Sequence, residues 1–81
     1  MRLSEIENGA LYRVSEINCE NKTKKRLSEL GLIPGSRVRY VMRAPSGEPK
    51  AYLIRGAVIA LRSECTRGVT VVPERQYQNE R

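Results

Sequence analysis

The chain is 81 residues long and 40% hydrophobic, with 15 Lys and Arg against 9 Asp and Glu and a formal net charge of +6. A chain this short hides only about 60% of its unfolded surface on folding, so it makes one domain with a thin core and has no second domain to wall a deep substrate cleft. The absence of histidine excludes the usual Ser/His/Asp and Cys/His nucleophile systems, and the positive charge favours an acidic partner: a nucleic acid, an anionic membrane surface or an acidic protein face.

The opening segment, Met1 to Gly9, has no apolar run of signal-peptide type and ends on the Asn8-Gly9 turn signal. No window approaches the ~18 apolar residues of a membrane span, so the expected location is the cytoplasm. LYRVSEI (Leu11 to Ile17) predicts a strand with Leu11, Val14 and Ile17 as its apolar content. NCENKTKKRLSELG follows, with Thr23, Leu27 and Leu30 at the i, i+4, i+7 spacing of a helix stripe and Asn18 or Asn21 as N-cap. Lys22, Lys24, Lys25 and Arg26 crowd its first turns, where the helix dipole is positive and each cation costs ~0.3–1 kcal/mol. Helix stability would have chosen acids there. Lys22, Lys25 and Glu29 face away from the leucine stripe, as a solvated face or as a docking surface for an acidic partner.

Gly31 stands where a helix stop needs a positive φ, and Leu32 falls where such a stop packs back on Leu27. Pro34-Gly35 then presets a tight turn, so that ELGLIPG converts a helix into a strand within a few residues. From Ser36 the period changes to two: Val38, Tyr40 and Met42 alternate with Arg37, Arg39 and Val41, and Arg43 continues the basic face. APSGEP is a connection, and KAYLIRG, AVIALR and GVTVVP are three further strands. Short strands at this spacing with one helix between them predict a mainly β fold, a small barrel or sandwich of about five strands with one inserted α-helix. The domain is expected over residues 1–74. Residues 75–81, almost without apolar content, are expected as a frayed, flexible tail in which Tyr77 is the residue able to dock.

No glycine-rich phosphate loop occurs. Cys19 and Cys65 are isolated in sequence, without the paired spacing of a thiolate metal site, and read as reduced thiols, packed or half-packed. The carboxylates are scattered, with Glu29 and Glu64 as ordinary solvated acids. Arg55 and Arg62 end strands and read as rim arginines bonding loop carbonyls or Glu side chains. No catalytic residue, metal-ligand set or cofactor is therefore expected.

RLSELGLIPGSRV, RAPSGEPKAYLIRG, AVIALR and GVTVV, in that order and over roughly Gly9 to Val72, resemble the FeoA domain, the small accessory protein of bacterial ferrous iron transport. The resemblance implies an SH3-like barrel, no enzymatic activity, and a cytoplasmic role beside the FeoB-type transporter, with that transporter's cytosolic nucleotide-binding domain as the expected partner. It also places the ELGLIPG joint at the surface, so the expected partner-binding residues are Lys22, Lys25, Arg26, Leu30, Leu32 and Ile33: apolar residues for contact area, cations for steering. The alternative class is a basic β-barrel that binds nucleic acid. It would need exposed aromatics beside the cations for base stacking, and the strands offer only Tyr40 and Tyr52, which read better as core or half-core.

Overall fold

The computed structural model describes residues 1–79. Five strands, β1 (Leu11–Ile17), β2 (Arg37–Arg43), β3 (Lys50–Ile54), β4 (Ala57–Leu61) and β5 (Val69–Pro73), form one antiparallel sheet in the order β4-β3-β2-β1-β5. The first four follow one another as a meander, and β5 returns to pair with β1. The end strands β4 and β5 do not pair with each other, so the barrel stays open between them. Helices α1 (Asn21–Glu29), α2 (Ser63–Thr66) and α3 (Glu74–Asn79) fill the connections and the C-terminal end.

Two bulges decide which side chains reach the core. In β1, Tyr12 and Val14 point inward, then the register shifts between Val14 and Glu16 and Ile17 takes the next buried position. Leu11, counted with the strand's apolar residues, is half-buried, and Tyr12 is in the core. In β2 the register shifts between Tyr40 and Met42, so Met42 pairs with Ala51 and is 60% exposed where strict alternation expects it buried. One extra residue sends every later side chain to the other face. Tyr40 instead packs edge-to-face on the fully buried Tyr52, ring centroids 6.3 Å apart at 70°.

The helix stop is as the sequence predicts. Gly31, at φ +96, donates its N–H to Ser28 O, and Leu32 N donates to Leu27 O at 2.9 Å, with both leucines buried. Ser36 N donates to Ile33 O across Pro34-Gly35, with Gly35 at φ +94. The corner is tied to β1 through Gly35 N to Val14 O (2.7 Å) and Val14 N to Ser36 O (2.9 Å). The other end of α1 differs from expectation: the N-cap is Glu20, without a side-chain capping bond, while Asn21 is the first helical residue. Asn18 instead spends its backbone N–H on Gly68 O at 2.8 Å.

Three elements go beyond the sequence reading. A 3-10 turn, Leu3–Glu5, sends Leu3 and the following Ile6 into the core. It also lays the N-terminus along β5, where Val71 N donates to Met1 O at 2.7 Å and Arg2 bridges to Thr70. The four-residue α2 has its first turn capped by Glu48, whose carboxylate accepts from Ser63 N and is held below the usual Glu range by that bond. Past Pro73, the expected frayed tail gives way to α3 as far as Asn79; the last two residues lie outside the described ones. Arg13 donates to both oxygens of Glu74, Arg37 donates to one of them at 3.0 Å, and the Arg13 guanidinium lies 4.9 Å from the centre of the Tyr77 ring.

Candidate partner-binding groove

Of the nine residues of α1, Leu27 alone is buried. The helix therefore stands off the sheet, and between it and α2 runs a groove of about 1000 Å³. Lys22, Lys25 and Arg26 come to it from α1 and Arg67 from the end of α2, with Glu20, Glu29 and Glu64 among them. The close approach of two backbones sets the groove floor. A Cβ on Gly68 would stand 2.6 Å from both Asn18 O and Cys19 Sγ, so glycine is what lets β5 begin against the loop that enters α1.

The fold brings the two cysteines to this groove from opposite ends of the sequence. Both are free and half-buried, and Cys19 Sγ lies 4.0 Å from Cys65 O. Among the described residues no three His, Cys, Asp or Glu side chains come together as a metal site would require. The chemistry that the groove offers is charge. The ion pairs among the described residues join Arg13 and Arg37 to Glu74, and Arg43 and Lys50 to Glu7. They leave Lys22, Lys25, Arg26 and Arg67 unpaired, free to meet an anionic surface. The paired acids show the contrast. Lys50 first and then Arg43 hold the Glu7 carboxyl below its ordinary value, and at Glu74 burial pushes upward but Arg13 and Arg37 outweigh it. Of the β2 arginines expected to extend the basic surface, Arg37 and Arg43 are thus engaged, and Arg39 is not.

The expected contact residues separate into three settings. Lys22, Lys25 and Arg26 share the α1–α2 groove. Leu30 is half-buried and belongs, with Arg26, to an adjoining groove between α1 and β4. Ile33, 46% exposed, lies in a separate depression beside Arg13, Arg37 and Arg55. Leu32 is fully buried and cannot touch a partner, because the helix stop turns it back onto Leu27. Arg67 went unread in the sequence, and the two cysteines, read as separate reduced thiols, were not expected together, since nothing local reveals α2 and only the β1–β5 pairing brings residue 19 beside residue 65. A base-stacking platform is also missing from the strands, with Tyr52 buried and Tyr40 packed against it.

Among the described residues no helix is long and apolar enough to cross a membrane. No curated protein is similar enough in sequence to count as a match. Residues 1–73 match the family model described as the FeoA domain. Three solved structures are similar throughout. The FeoA protein of Chlorobium tepidum is 30% identical, with 91% of this chain and 70% of that one covered, at a TM-score of 0.83. A FeoA-like protein of Clostridium acetobutylicum is 26% identical over 91% of this chain and 86% of its own, also at 0.83. The zinc-complexed FeoA of Stenotrophomonas maltophilia, described as a prokaryotic SH3 domain protein and a candidate activating factor of ferrous iron transport, is 30% identical over 89% of each chain at 0.75.

Proposed function

The chain belongs to the FeoA domain family, and from that premise we propose that it is a non-enzymatic accessory protein of ferrous iron uptake, acting in the cytoplasm by binding and modulating the FeoB-type transporter. The observation that carries the docking half of the reading is the α1–α2 groove, where four cations lie together without an ion pair among the described residues. Unpaired charge of one sign steers association and sets specificity against wrong partners. The partner surface is the transporter's cytosolic nucleotide-binding domain, and the contact includes Lys22, Lys25 and Arg26, with Leu30 at its edge.

The test is an NMR titration of the isotope-labelled chain with that domain, with and without a GTP analogue. Shifts are expected to cluster on Asn21–Glu29 and Arg67 and to respond to the nucleotide. Lys22→Glu with Lys25→Glu should abolish them while leaving the fold at least as stable, because an acid at the first helical turn is favoured by ~0.3–1 kcal/mol. Shifts confined to other faces, or unchanged binding by the charge-reversed chain, would overturn the assignment.

A further inference from the structure

The two edges of the sheet are treated differently. The β5 edge is covered: Val71 N donates to Met1 O, Arg2 bridges to Thr70, and the strand ends on Pro73. The β4 edge, Ala57–Leu61, has none of the devices that blunt an edge strand. It is AVIAL, without charge, proline or bulge, and the sheet's two bulges lie in β1 and β2. Hairpin geometry fixes which backbone groups are free. Arg55 (φ 52) and Gly56 (φ 82) make a two-residue turn of the primed type, in which the flanking pair Ile54–Ala57 is hydrogen-bonded. Antiparallel alternation then points Ala57, Ile59 and Leu61 at β3, and leaves the N–H and C=O of Val58 and Ala60 directed outward.

Ala60 lines a groove, and Val58, 62% exposed, stands at its open end. Leu27 and Leu30 of α1 form one wall and Ile59 to Leu61 the other, in a space of about 620 Å³. We propose that this groove is a strand-addition site, in which an extended, acidic segment of a partner protein pairs with β4 beneath α1. Backbone bonds to Val58 and Ala60 hold the segment, and its apolar residues meet the half-buried Leu30 and Ile59. Charge selects the occupant. Exposed arginines, Arg55 and Arg62, bracket the five apolar residues of β4, neither is in an ion pair among the described residues, and Arg26 adds a third cation to offset Glu29 and Glu64 at the rim. A second copy would bring the same arginines and another +6 to this edge, so self-pairing is opposed. The site shares Arg26 and Leu30 with the contact proposed above but does not rest on that reading: it defines a mode of recognition whichever protein supplies the strand.

The experiment uses the full chain, isotope-labelled, and capped synthetic peptides of alternating glutamate and valine. Expected are slowed hydrogen exchange at the Val58 and Ala60 amides and shifts along β4. A peptide of equal length and charge with proline at every third position, unable to present a strand edge, should bind about ten-fold more weakly, since two backbone bonds of about 0.5–1.5 kcal/mol each are lost. A lysine–valine peptide should not bind, and Arg26→Glu with Arg62→Glu should reverse the preference between the glutamate and lysine peptides. Ala60→Pro should remove binding while β1 and β5 shifts stay in place, because proline is tolerated where an edge N–H faces away from the sheet. No exchange protection at saturating peptide, equal binding of the proline peptide, or protection at β4 that grows with the chain's own concentration would each overturn the proposal.

Discussion

Leu27→Ala tests how α1 is held. Leu27 is 1% exposed and is the helix's one buried side chain, so its loss removes the anchor without a neighbour on the helix to compensate. The substitution deletes three buried carbons, worth about 2.4 kcal/mol at ~0.8 kcal/mol each, and an unrelaxed cavity raises the cost into the ~2–5 kcal/mol range. A nine-residue helix falls short of the ~12–15 residues at which isolated helices become even marginal. Once unanchored, α1 is therefore expected to melt locally, while the sheet, whose core rests on Val14, Val38, Ile54 and Val71, persists. Urea unfolding followed by circular dichroism reads the global cost. Native-state hydrogen exchange reads the local one: the Lys24 amide, bonded to Glu20 O, should lose protection and Val14 should keep it. A cost below about 1 kcal/mol, or α1 amides that stay protected, would refute the single-anchor account; loss of protection throughout the sheet would show that α1 is integral to the barrel.

Gly68→Ala should destabilise by about 1–3 kcal/mol in the same urea assay, because the added Cβ meets a backbone oxygen that cannot swing aside, whereas Gly9→Ala, with open space around it, should be neutral or slightly stabilising. Glu74 makes the α3 clasp pH-dependent. Its carboxyl titrates below its ordinary 4.5, so its contribution is complete above that value and is lost as pH falls through the depressed folded-state pKa. Melting temperature against pH should accordingly fall more steeply for the parent chain than for Glu74→Gln below about pH 4.5, and parallel curves would refute the linkage. The hydroxyls of Tyr52 and Thr66 are buried without a well-formed hydrogen bond, although each lies close enough to influence the other, and burial raises the Tyr52 pKa. Tyr52→Phe with Thr66→Val should therefore cost less than about 1 kcal/mol or stabilise, and a loss like that of Leu27→Ala would mean the two hydroxyls are well satisfied.

Much of the architecture was legible because local chemistry and global position agree. ELGLIPG specifies a helix stop and a turn through Gly31, Leu32, Pro34 and Gly35, and each residue occupies the place its backbone preference dictates. The strands were equally plain where the alternation was unbroken, as in β3. Reading failed where one residue breaks the period: Met42 was set on one face with Val38 and Tyr40, and the bulge that moves it leaves no compositional trace. Leu3, Ile6 and α2 were missed because segments of three or four residues carry too little periodicity, and they are held by distant groups such as Glu48 and Thr70. The groove was half legible. Lys22, Lys25 and Arg26 stand together in sequence, whereas the approach of Arg67 and of Cys19 to Cys65 exists only in three dimensions. Leu32 shows the opposite error, an apolar residue in a surface joint that the stop itself turns inward.

The conflict at α1 ties these observations together. Its N-cap side chain caps no backbone N–H, its first turn holds no acid, and three lysines and an arginine lie within its first six residues. The absent acids and the crowded cations oppose the helix, whereas the corner that follows it complies with the fold residue by residue. Tertiary structure supplies what α1 lacks, through Leu27, the Leu27–Leu32 stop and the corner bonded to Val14. Those contacts are concentrated at the C-terminal end of the helix, which leaves the basic N-terminal turns exposed and poised over the groove. A sequence under selection for stability alone has cheap remedies here, since an acid at position 22 would improve the fold without disturbing a single contact. Local rules broken against so consistent a background mark the places where something other than folding sets the residue. At α1 they coincide with the groove whose cations have no ion-pair partner among the described residues.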